Sequence, residues 1–141
     1  MKTIHVIIAK TIRIIIAGGR KFNDYEMLKR TMLKFIIKLH DHIDFHNIEI
    51  ISGNANGADK LGERFAKEYN HNLKIMPAQW DLHGKSAGYI RNNEMLVYAK
   101  EADHSVLVAF WDGQSKGTKN MIDTSRKNLD DVEVIFYKGL T

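Results

Sequence analysis

The sequence predicts an α/β protein with a Rossmann-like, doubly wound fold, in which helices cover both faces of a mostly parallel five-stranded sheet. Short β-branched apolar segments alternate with segments of helical periodicity five times along the chain, which is the pattern of a parallel sheet with crossover helices. Residues 105–110 ("SVLVAF") are apolar at nearly every position, as expected of a central strand buried on both faces. Right-handed crossovers then leave few other arrangements.

The composition is that of a globular protein with one domain. A chain of 141 residues is long enough to bury a substantial core without disulfides. The absence of cysteine excludes disulfides and thiolate metal sites and agrees with a cytoplasmic location. The formal net charge of +4 suits an anionic partner, either a nucleic acid or a small anionic ligand.

The apolar N-terminus, "MKTIHVIIAKTIRIIIAGG", is not expected to be a signal peptide or to span a membrane. His5, Lys10 and Arg13 interrupt its apolar residues, and no small-residue cleavage site follows. A membrane-spanning helix needs about 20 apolar residues in succession. The segment is therefore interpreted as strand.

This N-terminal segment contains an internal repeat. Residues 3–10 ("TIHVIIAK") and 11–18 ("TIRIIIAG") match closely, but only the second copy continues into a glycine pair. Ile12–Ala17 is therefore predicted to be the first core strand, within a single domain over residues 12–141. Residues 1–11 are predicted to be an extension that adds an edge strand or pairs with another subunit of a dimer or tetramer.

A helix is predicted from Tyr25, after the first strand. Asn23 and Glu26 resemble a capping box, and the apolar residues that follow share one helical face. These are Leu28, Met32, Phe35, Ile36 and Leu39. Residues 48–52 ("IEIIS") then predict the second strand, and helical spacing of apolar residues predicts a helix over 58–70.

The second half of the chain continues the alternation. Residues 73–76 ("LKIM") predict a third strand that ends at Pro77. Residues 87–101 are predicted to be helical and lead into the buried strand described above. A short helix over 118–127 and a final strand over 132–137 ("VEVIFY") complete the pattern.

Four loops are predicted to meet at one edge of this sheet. In open parallel sheets, ligands bind beyond the carboxyl ends of the strands, near the point where the strand order reverses. The four segments that follow the first four strands are "AGGRKFND", "SGNANGAD", "PAQWDLHGKSAGYIRN" and "FWDGQSKGT". Their glycines let backbone amides approach an anion, and each following helix offers its N-terminal amides. Together with cationic and aromatic side chains, these loops predict a nucleotide site.

The Gly-Lys-Ser sequence in the third of these loops is not a P-loop. A Walker A motif has a glycine five residues before its second glycine, and Gln79 stands at that position here. The loop is instead expected to lie on the phosphate side of the site and to contribute Lys85.

The stretch "HDHIDFH" raises the possibility of a metal site. His40, His42 and His46 carry imidazoles that could be ligands. The stretch follows the first helix, however, at the edge where strands begin. We therefore interpret it as a solvated helix end and expect no metal.

The four loops resemble those of the SLOG superfamily, specifically the small DUF2493 proteins, which are also called YspA-like and are cpYpsA-related. The segments that carry the resemblance are "IIIAGGRKFND", "ISGNANGADKLGERFA", "PAQWDLHGKSAGYIRNNEML" and "AFWDGQSKGTKNMI". It covers roughly residues 12–137. The resemblance implies a Rossmann-like nucleotide-binding domain of the kind often found in bacteria and their phages. The wider superfamily includes the DNA-processing protein DprA, the LOG phosphoribohydrolases, and sensor domains for ADP-ribose derivatives and related signals.

The sequence departs from these relatives at two positions. Asn54 stands where the family usually has glycine, so its side chain would narrow the approach to a phosphate. The LOG enzymes carry P-G-G-x-G-T-x-x-E, and aligning "KGTKNM" on that motif puts Met121 at the position of the glutamate. Methionine cannot exchange a proton, so LOG-type cleavage is not expected, although Arg91 falls where that family has an arginine.

The candidate ligand residues fall into four chemical groups. Arg20, Lys85, Arg91 and Lys116 would neutralise negative charge, and Phe22, Trp80 and Trp111 could stack on a base. The phosphate and ribose cradle would comprise Gly18, Gly19, Ser52, Gly53, Gly57, Gly117 and Thr118, with Asn54, Asn92 and Ser115 as further polar contacts. Asp59 or Asp112 could hold a ribose hydroxyl. Three of these groups also have a structural alternative: a tight turn or close helix packing for the glycines, core or interface packing for the tryptophans, and capping of helices or turns for the aspartates.

Three functions are compatible with this site. The first is binding of a nucleotide or nucleotide-derived signal, ADP-ribose-like or a nucleoside phosphate, by a sensor or sequestering protein that needs no other cofactor. The second is hydrolysis of an N-glycosidic or phosphate bond, for which Asp59, Glu94 and Asp112 are the candidate carboxylates. The third is binding of single-stranded nucleic acid by analogy with DprA, with affinity that falls steeply with salt. The modest net charge makes the third function the least expected.

Overall fold

A five-stranded parallel sheet forms the centre of the protein, in a computed structural model that describes residues 7–8 and 10–138. The strands are β1 (Ile7–Ile8), β2 (Thr11–Gly18), β3 (Ile43–Asp44), β4 (Asn47–Ser52), β5 (Asn72–Ile75), β6 (His104–Trp111) and β7 (Asp131–Phe136). The helices are α1 (Tyr25–His40), α2 (Ala58–Glu68), α3 (Trp80–His83), α4 (Ala87–Lys100) and α5 (Lys116–Asn128). None of these helices is long and apolar enough to cross a membrane.

The order of strands in the sheet is β5-β4-β2-β6-β7, and every neighbouring pair is parallel. The chain builds outwards from β2 to β4 and β5, then returns across the sheet to add β6 and β7 on the other side of β2. The order therefore reverses between β2 and β6, where the loops after these strands diverge and leave a crevice. This topology confirms the predicted doubly wound fold.

Helices cover both faces of the sheet. Helices α1 and α2 pack with Ile12, Ile14 and Ile16 of β2 on one face. Helices α4 and α5 pack on the other face, where Ile15 and Ala17 point. Successive side chains of a strand point to opposite faces, so coverage of both faces explains why β2 and β6 are apolar without alternation.

Two local predictions are corrected. The residue that caps α1 is Asp24 rather than Asn23, because the Asp24 carboxylate accepts a hydrogen bond from the amide of Met27 at 3.0 Å. The stretch after Pro77 is not wholly a loop. Its residues Trp80–His83 form the single-turn helix α3, and a 3₁₀ turn over Gly84–Ser86 joins it to α4.

The N-terminal extension contributes a strand that lies off the main sheet. Ile7 pairs with Ile43 in a separate two-stranded parallel ladder. Thr11 and Asn47, the first pair of the β2–β4 ladder, are separated by the same number of residues as Ile7 and Ile43. The β1–β3 pair therefore continues that ladder in the same register and does not add a strand at the edge of the sheet. Residues 1–6 and 9 of the extension lie outside the described residues.

The histidine-rich stretch lies at the C-terminal end of α1, as predicted. His40, His42 and His46 are exposed, and the ring of His40 stacks on Phe45 with 4.1 Å between centroids. Within residues 7–8 and 10–138, no three His, Asp or Glu side chains are placed to hold a metal ion.

Candidate functional site

A cavity of about 500 Å³ opens at the carboxyl edge of the sheet, between the loops that follow β2 and β6. We call it the switch-point cavity. The predicted site residues that line it are Gly18, Gly19, Arg20, Asp59, Trp80, Lys85, Arg91, Asn92, Asp112, Ser115, Gly117 and Thr118. Its other lining residues are Ala17, Lys21, Ala55, Gly88, Tyr89, Met95, Met121 and Tyr137. The structure therefore brings residues from all four predicted loops into one wall.

Glycines at two strand ends allow the loops to approach closely. A Cβ on Gly18 would clash with the carbonyl oxygen of Phe110 in β6 and lie 2.9 Å from the Cβ of Ala58. Gly57 has a φ of +82°, and a Cβ there would clash with the backbone of Gly19 and Arg20. Gly57 does not line the cavity; it holds the loop after β4 against the loop after β2.

The guanidinium of Arg91 is held from two sides. Its Nη1 donates a hydrogen bond to the carbonyl oxygen of Gly53, and its Nε donates to Oδ1 of Asn92 at 3.2 Å. A Cβ on Gly53 would lie 2.8 Å from Cζ of Arg91 and 2.9 Å from Oδ2 of Asp59. Gly53 is thus not a lining residue but provides the space in which Arg91 and Asp59 come together.

Asp59 is a buried carboxyl at the back of the cavity. It is 5% exposed, and its Oδ2 accepts a hydrogen bond from the amide of Ala55 at 3.1 Å. Burial raises the pKa of Asp59 to about 6, and Glu63 adds to this rise, although the Ala55 amide, Arg91 and Arg20 oppose it. The cavity therefore contains a carboxyl group that titrates close to neutral pH.

This raised pKa predicts a specific pH dependence of stability. Between its ordinary pKa of 3.8 and about 6, the folded protein binds more protons than the unfolded chain, so stability is lost as the pH rises through this range. Relative to Asp59→Asn, the wild-type free energy of unfolding should fall by about 3 kcal/mol from pH 3.5 to pH 7. Urea unfolding at a series of pH values measures this difference.

Asp112→Asn provides a control of opposite sign. Hydrogen bonds from the backbone amides of Ser115 and Gln114 lower the pKa of Asp112. The contribution of Asp112 to stability is therefore lost as the pH falls, whereas that of Asp59 is lost as the pH rises. The opposite outcome is that the wild type and Asp59→Asn differ in free energy of unfolding by the same amount at every pH from 3.5 to 7. That result would contradict the burial of an ionisable group at this position.

Asp112 lines the cavity but also organises the start of α5. Its Oδ1 accepts hydrogen bonds from the amides of Gln114 at 2.8 Å and Ser115 at 2.9 Å. Ser115 is the N-cap of α5 and its side chain accepts from the amide of Thr118. The capping alternative for Asp112 is therefore correct, and the first turn of α5 faces the cavity through Gly117 and Thr118.

Two aromatic rings stand at the rim of the cavity. Trp80 is 48% exposed and Tyr89 is 50% exposed, and both line the cavity. The Arg20 guanidinium lies over the Trp80 ring, with 5.7 Å between its Cζ and the ring centroid. Lys21 and Lys85 add two more cations here.

The other two predicted base-stacking residues do not line the cavity. Phe22 is buried and stacks on Phe110 with 5.0 Å between centroids. Trp111 packs on Phe136, and its Nε1 donates to the carbonyl oxygen of Ser115 at 3.1 Å. Phe22 belongs to the core on one face of the sheet, and Trp111 is half-buried against the core on the other face. The packing alternative given for the tryptophans therefore holds for Trp111.

Four further candidates lie outside the cavity wall. Ser52 is fully buried and donates to Glu63 at 2.7 Å. The backbone amide of Asn54 donates to Oγ of Ser52 at 3.0 Å. The side-chain oxygen of Asn54 accepts a hydrogen bond from Lys60. Lys116 and Glu94 are exposed. The α4 residues that line the cavity are Gly88, Tyr89, Arg91, Asn92 and Met95. Glu94 is not among them, so it is removed as a catalytic candidate.

Tyr137 is a lining residue that sequence reasoning missed. It follows β7, and a Cβ on Gly19 would clash with its hydroxyl, so the side chain reaches across the edge of the sheet to the loop after β2. Burial raises the pKa of Tyr137, and Asp112 adds to the rise, which keeps the phenol protonated. The sequence analysis ended the fifth strand at Tyr137, whereas the strand ends at Phe136, so Tyr137 was counted as strand and not as part of a loop.

Comparisons with known proteins agree with this architecture. The family model described as YspA, cpYpsA-related SLOG family (YAcAr) matches residues 12–83. The chain is also similar to the Gene 61 protein of Mycobacterium phage D29, with 30% identity over 120 residues that cover 82% of this chain and 89% of that protein. No solved structure matches the chain. The chain belongs to the YspA, cpYpsA-related SLOG family, as the motifs in its loops predicted.

Proposed function

We propose that the protein binds a nucleotide or nucleotide-derived ligand, ADP-ribose-like or a nucleoside phosphate, in the switch-point cavity and acts as a sensor or sequestering protein. The observation that carries this proposal is the make-up of the cavity wall, which combines four cationic side chains with two exposed aromatic rings and the first turn of α5. Membership of the SLOG family supports a nucleotide-related role in general.

The charges of the cavity favour an anionic ligand. Its cations are Arg20, Lys21, Lys85 and Arg91, and its carboxyl groups are Asp59 and Asp112. The Asp112 carboxylate already accepts two backbone amides, and the four cations outnumber the two carboxyl groups even when Asp59 is ionised. Charge-assisted hydrogen bonds contribute roughly 1.5–3 kcal/mol each, so three or four of them are enough for micromolar affinity.

The wall also suggests how such a ligand would lie. Backbone amides after β2 and at the first turn of α5 flank the crevice, as in other sites where helix N-termini hold phosphates. The rings of Trp80 and Tyr89 offer an exposed surface for a base. Asp59 would accept a hydrogen bond from a ribose hydroxyl between these two regions.

Incubation with a nucleotide panel tests this proposal. The panel comprises AMP, ADP-ribose, NAD, cyclic nucleotides and adenosine, and mass spectrometry identifies what is retained and what is released. We expect at least one phosphorylated nucleotide to be retained intact and adenosine to be lost. Retention of no nucleotide, or equal retention by wild type and Arg91→Ala, would contradict the proposal.

One observation favours hydrolysis as a second candidate function. A general acid works best when its pKa lies near the working pH, and the cavity holds Asp59 with a pKa of about 6. Met121 lines the cavity, so this chain has no carboxylate at the position aligned with the LOG glutamate. The other cavity carboxylate, Asp112, accepts the amides of Gln114 and Ser115, so hydrolysis would depend on Asp59.

Asp59→Asn distinguishes the two functions. If the protein is a hydrolase, this variant should retain nucleotide and lose product formation, whereas Glu94→Gln, outside the cavity, should keep both. Equal product formation by wild type and Asp59→Asn would rule out this mechanism. Absence of products with every nucleotide in the panel would leave binding as the function.

A further inference from the structure

Asn92 is a buried polar residue whose side chain contacts two different parts of the site. It is 6% exposed, and its Oδ1 accepts a hydrogen bond from Nε of Arg91 at 3.2 Å. Its Nδ2 donates to the carbonyl oxygen of Gly117 at 3.3 Å and to Oδ1 of Asn120 at 3.2 Å. The Asn92 amide therefore links the guanidinium on α4 to the first turns of α5.

From these contacts we infer that Asn92 is a positioning residue, which sets the place of Arg91 relative to the N-terminus of α5. An asparagine side chain has two N–H donors and one acceptor oxygen, and all three groups have partners here. A ligand that bonded directly to the Asn92 amide nitrogen would have to displace one of those partners. The sequence-based assignment of Asn92 as a ligand contact is thus replaced by an indirect role.

Arg91 is held so that one edge of its guanidinium stays available. Nε is bonded to Asn92 of the same helix, and Nη1 is bonded to the carbonyl of Gly53 in the loop after β4. Among the residues the structure describes, Nη2 has no hydrogen-bond partner, and Arg91 lines the cavity. A guanidinium fixed at two points loses less conformational freedom when it binds an anion.

The consequence is a specificity for ligands with two anionic groups, and it rests on the proposed function. Arg91 and the backbone at Gly117, ahead of the capped Thr118 amide, are two separate places for negative charge, and Asn92 fixes the distance between them. A diphosphate can contact both places at once, whereas a monophosphate contacts one. Loss of Asn92 should therefore weaken ADP-ribose binding more than AMP binding.

A double-mutant cycle tests this link with ADP-ribose and AMP as probes. We expect Asn92→Ala to weaken ADP-ribose binding about tenfold in the wild-type background. In the Arg91→Ala background the same change should alter affinity less than about twofold, because Asn92 acts through Arg91. An equal loss in both backgrounds would overturn the inference, and Asn93→Ala, at the exposed neighbouring position, controls for general effects on α4.

A measurement without ligand keeps the test independent of the proposed function. In nitrogen-15 NMR, the Nε–H of Arg91 should exchange slowly with water in the wild type and rapidly in Asn92→Ala. Asn92→Asp keeps the acceptor for Nε but loses both donors to α5, so it should retain slow exchange. If no nucleotide binds the wild type but this pattern appears, the proposed function fails while the positioning of Arg91 by Asn92 stands. Rapid exchange in the wild type would overturn the inference.

Discussion

Gly57→Ala is expected to destabilise the protein by about 4 kcal/mol, because two costs add at this position. The φ of +82° is a conformation that residues with a Cβ rarely adopt, at a cost of about 1–3 kcal/mol. The new Cβ would also clash with the backbone of Gly19 and Arg20. Backbone cannot rotate out of the way as a side chain can, so relieving this overlap should cost about another 1–3 kcal/mol. Urea unfolding of both proteins measures the sum.

Gly113→Ala is a matched control for the Gly57 variant. Gly113 has a φ of +84°, but a Cβ there would meet nothing within 4 Å. This variant should therefore show only the conformational cost, about 1–2 kcal/mol. Equal destabilisation by the two substitutions would mean that the loops after β2 and β4 do not touch. A larger loss of stability in Gly57→Ala than in Gly113→Ala would confirm the contact between these two loops. In the same contact, the amide of Ala58 donates to the carbonyl oxygen of Gly19 at 3.1 Å.

Arg91→Ala is expected to have the largest effect on ligand binding, a loss of about 100-fold in affinity for a nucleotide that the wild type retains. Arg91 is half-buried and is held by Gly53 and Asn92, so its interaction with an anion is less screened by water than that of a surface residue. A lost pair of charge-assisted hydrogen bonds corresponds to about 3 kcal/mol. Isothermal titration calorimetry with that nucleotide measures the change.

Two further substitutions make the Arg91 result specific. Arg91→Lys keeps the positive charge but cannot bond Gly53, Asn92 and a ligand through one planar group, so it should recover little of the affinity. Arg20→Ala removes an exposed cation at the rim, and we expect a loss of only about tenfold, since exposed charges interact weakly. Unchanged affinity in Arg91→Ala would place the ligand elsewhere.

The sequence predicted the position of the site more completely than the orientation of its side chains. Arg20, Asp59 and Arg91 were expected at the carboxyl edge, and all three line the cavity. Phe22 and Trp111 come from the same loops, but Phe22 is buried against Phe110 and Trp111 packs against Phe136, away from the cavity. Position along a loop does not tell which way a ring points, because that depends on the elements that pack around it.

Met95 and Met121 show the opposite difficulty. Met95 was not named as a site residue, and Met121 was named only through its alignment with the LOG glutamate. Both are buried. The structure places them on the part of the helices where the core meets the cavity, so they become part of a ligand-facing wall. Whether a buried residue borders a cavity depends on the space left by other elements, which periodicity does not describe.

The sequence alone determined the parallel sheet, the helices on its two faces and the edge at which the loops converge. These features follow from local periodicity and from glycines at strand ends, which are properties of short segments. Only the tertiary structure decided the chemistry of the site. Gly53, Asp59 and Arg91 come from separate elements. Packing of these elements buries Asp59, which raises its pKa, and the carbonyl of Gly53 orients Arg91. Burial and charge act through space, so a site assembled from distant segments acquires its properties only when those segments are packed together.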